Sequence, residues 1–240
     1  MDCIKVDASW KTRKRKVYKF EERLKKKGLI FKMADWETIF KEKGKVFFEP
    51  QEDMKNVIKF MKKENVNKVL DLGCGSGRHV VLLTKESFNV YGTDISKEGI
   101  NLTKKNLKKL SLKAKLKVTS CYEKFPFIDN FFDAVISTQV IHHNYIEKIR
   151  YCISEIERVL KKDGIFFVTV AARIMNKKRP SKSKLVKPRT YIPIDGEEEA
   201  GLPHYLYNKI LMKKDFKNFK ILNMHIDTGK KHYCLLGKLK

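Results

Sequence analysis

The sequence predicts an α/β domain built on a mainly parallel, doubly wound sheet. Three observations lead there. From about residue 53 to 170, short segments rich in Val, Ile and Phe alternate with helical patterns. The run Asp71-Leu72-Gly73-Cys74-Gly75-Ser76-Gly77 follows the first of these strands and opens a helix. A second acid, Asp94, ends the next strand.

The elements follow in order. A helix over 53–63 leads into a strand at 68–71, and the glycine loop opens a helix over 78–85. A strand at 89–93, a helix over 97–110 and strands at 116–119 and 132–137 come next. A helix over 146–160 is expected to end at Lys161-Lys162-Asp163-Gly164, with Gly164 as its stop signal. A strand at 165–170 closes the regular part. Residues 171–203 hold four of the six prolines and a basic stretch, Arg173 to Arg189, without an acid. A connection that long reads as functional or disordered, and a substrate loop is the functional reading. Strands at 220–227 and 232–238 then form a terminal hairpin. No internal repeat is present.

Ahead of this domain, residues 1–52 read as a basic helical arm followed by an apolar lid. Residues 1–32 carry 12 Lys or Arg and four acids, and Val17, Phe20 and Leu24 fall at helical spacing. Such a helix suits either a solvated face or a docking arm. Trp36, Ile39, Phe40, Phe47 and Phe48 supply the lid. The division expected is thus 1–52 and 53–240, with the substrate loop at about 171–203.

The chain has 240 residues, 42% of them hydrophobic, enough for one substantial core. It contains no long uncharged apolar run, so no membrane span is expected. The N-terminal residues lack an apolar segment of signal-peptide length, which points to the cytoplasm. The five cysteines are scattered and form no C-x-x-C pair, against a zinc knuckle or a disulfide framework. The net charge of +25 fits a nucleic-acid partner. However, only nine of the 53 basic residues are Arg, the better bidentate phosphate ligand. A Lys-rich proteome accounts for the charge equally well.

The glycine loop carries the chemistry. Its missing side chains let a ligand approach the backbone, and the helix it opens presents unpaired N–H groups. Asp94, 19 residues after Gly75, can accept both hydroxyls of an adenosine ribose. A dinucleotide fingerprint needs glycine where Arg78 stands, and a phosphate loop needs a Gly-Lys-Ser/Thr that is absent. Asp71 would repel a pyrophosphate but suits a ligand bearing ammonium and sulfonium charges.

These residues resemble the class I S-adenosylmethionine-dependent methyltransferases, of the type 11-like group. Residues 69–77 look like that family's first motif, and Tyr91-Gly92-Thr93-Asp94-Ile95-Ser96 looks like its second. The resemblance implies a Rossmann-like, seven-stranded, mostly parallel sheet with an antiparallel C-terminal strand, and S-adenosylmethionine as cofactor. It places Gly73 and Gly75 against the methionine part, with Asp71 nearby and Asp94 at the ribose, and adds Cys74, Arg78 and Ile95 to the cofactor-binding set. Ser120, Cys121 and Tyr122 would lie beside the adenine, where Cys121 departs from the acid that many members carry. Thr138, at the exit of the fourth strand, would complete the cofactor site.

On the acceptor side the same exit reads Ser137-Thr138-Gln139-Val140-Ile141-His142-His143. The Asp/Asn-Pro-Pro-aromatic motif and the Pro-Cys nucleophile are both missing. His142 or His143 is a candidate base, since histidine titrates near neutrality; packed or helix-start roles suit them too. No metal is expected, because adjacent side chains diverge and no third ligand is evident. A looser resemblance links residues 139–143, Ile153-x-x-Ile156-x-Arg158-Val159-Leu160 and His204-Tyr205 to the tRNA wobble-uridine carboxymethyl methyltransferases. It implies a carboxylate acceptor oriented by Arg173, Arg189 or a nearby Lys, with His204 and Tyr205 on the substrate side. Three functions stay open at this point. They are methylation of an RNA held by the N-terminal arm and loop 173–189, methylation of a small molecule under the lid, and a non-catalytic cofactor-binding module.

Overall fold

Strand-face alternation organises the molecule. In β1 (Lys68–Leu72), Leu70 and Leu72 point to one face of the sheet while Val69 and Asp71 point to the other. The computed structural model describes residues 35–172, 183–193, 199 and 201–240, which fall within one compact unit, Ala34–Lys240. Its main sheet has seven strands in the order β3-β2-β1-β4-β5-β10-β9. These are β1, β2 (Asn89–Asp94), β3 (Lys115–Val118), β4 (Phe132–Thr138), β5 (Leu160–Ala171), β9 (Phe219–Ile226) and β10 (His232–Leu239). β1 to β5 pair in parallel, and β10 lies antiparallel between β5 and β9. The doubly wound, mostly parallel sheet with its reversed C-terminal strand is therefore present.

Helices cover both faces. α2 (Met54–Lys63), α3 (Arg78–Lys85) and α4 (Lys97–Lys109) bury Met54, Val57, Ile58, Met61, Val80, Leu83, Ile100 and Leu107 against Val69, Ala134, Ile136 and Phe167. On the other face, α5 (Ile146–Val159) and α6 (Lys209–Asp215) set Ile149, Ile153, Ile156, Met212 and Phe216 against Leu70, Val135, Phe166 and Val168. Each fully buried aliphatic side chain contributes about 1.5–3 kcal/mol. The two-sided burial explains why the central strands read as nearly continuous apolar runs. α1 (Trp36–Lys43) starts at Asp35, whose carboxylate accepts from the N–H of Thr38 (2.6 Å), and buries Ile39 and Phe40.

Two expectations need correction. The helix over 146–160 does not run on to a glycine stop. α5 ends at Val159, because Leu160 is already extended and pairs with Phe132. Asp163 takes the left-handed turn (φ 59°) instead, and Gly164 is small because a Cβ there would lie 2.7 Å from the Lys161 carbonyl. Nor is 171–203 a plain loop. β6 (Ser183–Lys187) and β7 (Thr190–Pro193) form a hairpin, and β8 (His204–Tyr205) completes a second, three-stranded sheet. Strands of two to five residues, the first carrying Lys184 and Lys187, leave too little apolar pattern to be read from sequence. Among the described residues, no helix is long and apolar enough to cross a membrane.

Candidate functional site

The glycine loop is held from below and from the side. The Gly73 and Cys74 amides both donate to the Thr93 carbonyl, which ties the end of β1 to β2. From α4, the Thr103 hydroxyl donates to the Gly75 carbonyl (2.8 Å) and the Asn106 amide to that of Ser76 (3.0 Å). Only glycine fits at two of these turns. Gly73 has φ 78°, and a Cβ there would meet the Val140 side chain at 2.3 Å. Gly77 has φ 87°, and its Cβ would meet Thr103 at 2.6 Å.

Two carboxylates flank this cradle. Asp94 receives the Gly75 amide on one oxygen and the Ser96 amide on the other, both at 2.8 Å. Burial raises its pKa against those hydrogen bonds. Asp71 lies under the start of α3, about 1% exposed, with Oδ2 lacking a hydrogen-bond partner. Burial drives its carboxyl up to about 7, with Arg78 opposing the rise and Asp94 adding to it. An orphaned acid of this kind fits a cationic ligand group, and Asp94 keeps lone pairs for hydroxyl donors. The residues present therefore fit an amino-acid-bearing adenosine cofactor.

α1 lies across the mouth of this site, and sequence reasoning read it only as an apolar lid. Phe40 packs against Gly75 and Gly99. The Glu37 carboxylate accepts from the Ser96 hydroxyl (2.7 Å) and the Glu98 amide (3.0 Å), contacts that lower its pKa to about 2. Trp36 meets His143 edge-on with ring centroids 5.6 Å apart. One helix thus touches both the Asp94 end and the β4 exit.

Several expected residues sit elsewhere. Cys74 is buried in the core under Gly92, with its thiol pushed well up by burial, so its side chain faces away from the cradle. The Arg78 guanidinium donates to the Glu49 carbonyl (3.0 Å) and lies over the Phe47 ring, bracing the lid segment. Ile95 is exposed. The Ser120 hydroxyl accepts from the Tyr122 amide, and the Tyr122 hydroxyl donates to the Val140 carbonyl (3.1 Å), which links the third-strand turn to the β4 exit. Thr138 faces His79, a residue the sequence did not single out. The Gln51 amide donates to Nε2 of His79 (3.0 Å), so the ring proton sits on Nδ1 and points to Thr138 Oγ1 (3.2 Å). Burial, with Arg78 adding, lowers His79 to about 3, so it is a neutral strut.

At the β4 exit, His142 and His143 do not diverge. They sit in a turn rather than a strand, and their ring centroids are 4.1 Å apart. β8 brings His204 to within 4.5 Å of the His143 ring, the third donor that the sequence did not show. Its Nε2 lies 2.8 Å from Glu199 Oε2. Burial first, then neighbouring histidines, lowers His142 well below the ordinary value and His143 to about 4. Bases that weak suit lone-pair donation better than proton removal at neutral pH. Tyr205, next along β8, turns to the opposite face and packs on Tyr207. Arg189 donates to the Leu206 carbonyl (2.6 Å) and bonds the Tyr205 hydroxyl, so it stands on that same far side. Arg173 and the basic arm over 1–32 lie outside the described residues.

Comparison with known proteins agrees with this geometry. A family model described as a methyltransferase domain matches residues 70–168. The ubiquinone biosynthesis O-methyltransferase of Pelagibacter ubique is 30% identical over 173 residues, 65% of this chain and 67% of that protein. The chain spans 44% and 55% of two other curated relatives. A solved S-adenosylmethionine-dependent methyltransferase of Methanosarcina mazei shares the fold at 19% identity. Its TM-score is 0.66, covering 80% of this chain and 99% of that one. The 1,6-didemethyltoxoflavin-N1-methyltransferase of Burkholderia thailandensis, solved with 1,6-didemethyltoxoflavin and S-adenosylhomocysteine, shares the fold at 12% identity. Its TM-score is 0.60 over 79% of each chain.

Proposed function

Since the chain belongs to the class I S-adenosylmethionine-dependent methyltransferases, we propose that it methylates an oxygen or nitrogen of a small polar molecule held in an enclosed recess. The cofactor, when bound, supplies a methyl group already activated by its sulfonium. Asp71 balances the amino group, Asp94 accepts from the ribose, and the glycine cradle keeps the backbone close. The protein's remaining task is to align the acceptor and exclude water, which α1 and the β6–β8 sheet are placed to do.

The observation that carries this reading is the burial of the acceptor end. His142 and His143 are at most 7% exposed, and Trp36 and His204 pack directly on the His143 ring. Surroundings packed in this way suit a metabolite better than a polynucleotide strand, which needs an open basic groove. The test is transfer of labelled methyl from S-adenosylmethionine to a small-molecule extract, beside total RNA with and without nuclease. Label in the small-molecule fraction is expected. Nuclease-sensitive label in RNA would overturn the proposal in favour of the tRNA reading, with the basic segments as the binding surface.

A further inference from the structure

We infer that His142, His143 and His204, with the carboxylate of Glu199, form a binding site for a divalent transition metal of the zinc class beside the acceptor recess. One ring nitrogen from each of the three histidines lies within 4.8 Å of the other two. Zinc–nitrogen bonds of about 2.0–2.1 Å put tetrahedral donors roughly 3.4 Å apart, so the rings must close by about 1 Å.

The tautomers of two of the rings are fixed by backbone carbonyls. Nε2 of His143 lies 3.1 Å from the Gln139 carbonyl oxygen, which only accepts, so the proton is on Nε2 and the lone pair on Nδ1. That Nδ1 is buried without a hydrogen-bond partner, and so is Nδ1 of His142. His204 repeats the arrangement in reverse. Its Nδ1–H donates to the Leu202 carbonyl (2.9 Å), which turns Nε2 toward Glu199 Oε2 at 2.8 Å. A nitrogen lone pair and a carboxylate oxygen at that distance need a cation between them, either a proton or a metal ion. Backbone carbonyls that fix ring orientation in this way are the usual outer shell of histidine metal sites. Glu199 Oε1 is also 3.7 Å from Nε2 of His143, so the carboxylate borders the group on the protonated side of that ring.

Three imidazoles and one carboxylate, without a thiolate, favour zinc, cobalt or nickel over calcium or magnesium. The second candidate cluster, Asp53, His225 and Cys234, is a poorer host. Burial and nearby acids push the Cys234 thiol far up, so it holds its proton, and the Gln51 amide already points at its sulfur. A bound cation would hold an acceptor through its oxygen or nitrogen as a fifth ligand or in place of Glu199. That role rests on the small-molecule reading, whereas metal binding itself does not.

The experiment titrates the chelator-treated full chain with Co²⁺ and follows visible d–d absorption, with Zn²⁺ as competitor. One Co²⁺ per chain with tetrahedral-type intensity, displaced by Zn²⁺, is expected. His143→Ala and Glu199→Gln should each weaken binding by about 10–100-fold or more. Glu199 is 26% exposed and Glu199→Gln keeps the shape of the side chain, so it reports even if His143→Ala fails to fold. Absence of the band would overturn the inference, as would binding that survives both substitutions or is lost only in Cys234→Ser. Such a result leaves the acceptor assay untouched, so the two readings fail separately.

Discussion

Asp71→Asn separates cofactor binding from stability. The carboxyl rises from its ordinary 3.8 to about 7 on folding because burial disfavours its charge. At about 1.4 kcal/mol per pH unit, ionising it in the folded chain costs about 4 kcal/mol. For an acid with a raised folded pKa, stability falls as pH climbs from the unfolded value to the folded one, then levels off. Asparagine does not titrate. The variant should therefore gain stability relative to wild type by about 3 kcal/mol between about pH 5 and about pH 8. At about 2–4 °C per kcal/mol for a domain of this size, that is a relative Tm gain of about 6–12 °C. The assay is thermal unfolding of both cofactor-free proteins across this range, with calorimetric titration of S-adenosylmethionine at the upper end. There the variant should bind more weakly by roughly 10–150-fold, the worth of a charged hydrogen bond of about 1.5–3 kcal/mol. A stability difference that stays flat with pH would refute the reasoning, as would undiminished cofactor affinity.

Gly73→Ala forces a Cβ into Val140 at a left-handed φ, which should cost about 1–3 kcal/mol and at least about tenfold in cofactor affinity. Partial recovery of Tm in the double variant with Val140→Ala checks the cause, and no recovery counts against it. Phe40→Ala removes the anchor of α1 on Gly75 and Gly99, a loss of about 3–5 kcal/mol by analogy with other buried aromatics. Hydrogen exchange should show the amides of α1 opening while those of β1 and β4 stay protected; equal loss in the sheet argues against a separable lid. Arg158 donates to both oxygens of Glu155, to Asp129 and to the carbonyls of Phe125 and Phe127. Lysine cannot reproduce that fork, so Arg158→Lys should lower stability in urea by about 2–3 kcal/mol at neutral pH. The Arg158 hydrogen bonds hold the Glu155 carboxyl below its ordinary 4.5, so the difference should persist above that pH and shrink as pH falls through the lowered value.

Local and periodic features were legible in the sequence. Strands buried on both faces write themselves as runs of Val, Ile and Phe, and the glycine loop is forced by φ angles that other residues resist. The α3 span at 78–85 and the β4 start at Phe132 follow directly. Asp71 and Asp94 were found because each ends a strand beside that loop. Properties that depend on which segments meet in space were not legible. The turn of α5 into β5 depends on Leu160 pairing with Phe132, a contact between residues far apart in the chain. His79 looks like any helical residue until Gln51 and Thr138 close on its two nitrogens.

The acceptor end shows the division most clearly. The sequence determined by itself the glycine loop and the two acids, Asp71 and Asp94, beside it, because backbone strain and strand position are properties of neighbouring residues. It could not place Trp36, His204 and Glu199 against His142 and His143, since those residues are separated by many intervening positions with no shared period. Their convergence comes from α1 crossing the mouth of the sheet and from β8 pairing with β7, after which the His142 carbonyl accepts the Tyr205 amide. Tertiary packing therefore decided that two adjacent histidines face a third, and burial there keeps their lone pairs free at neutral pH.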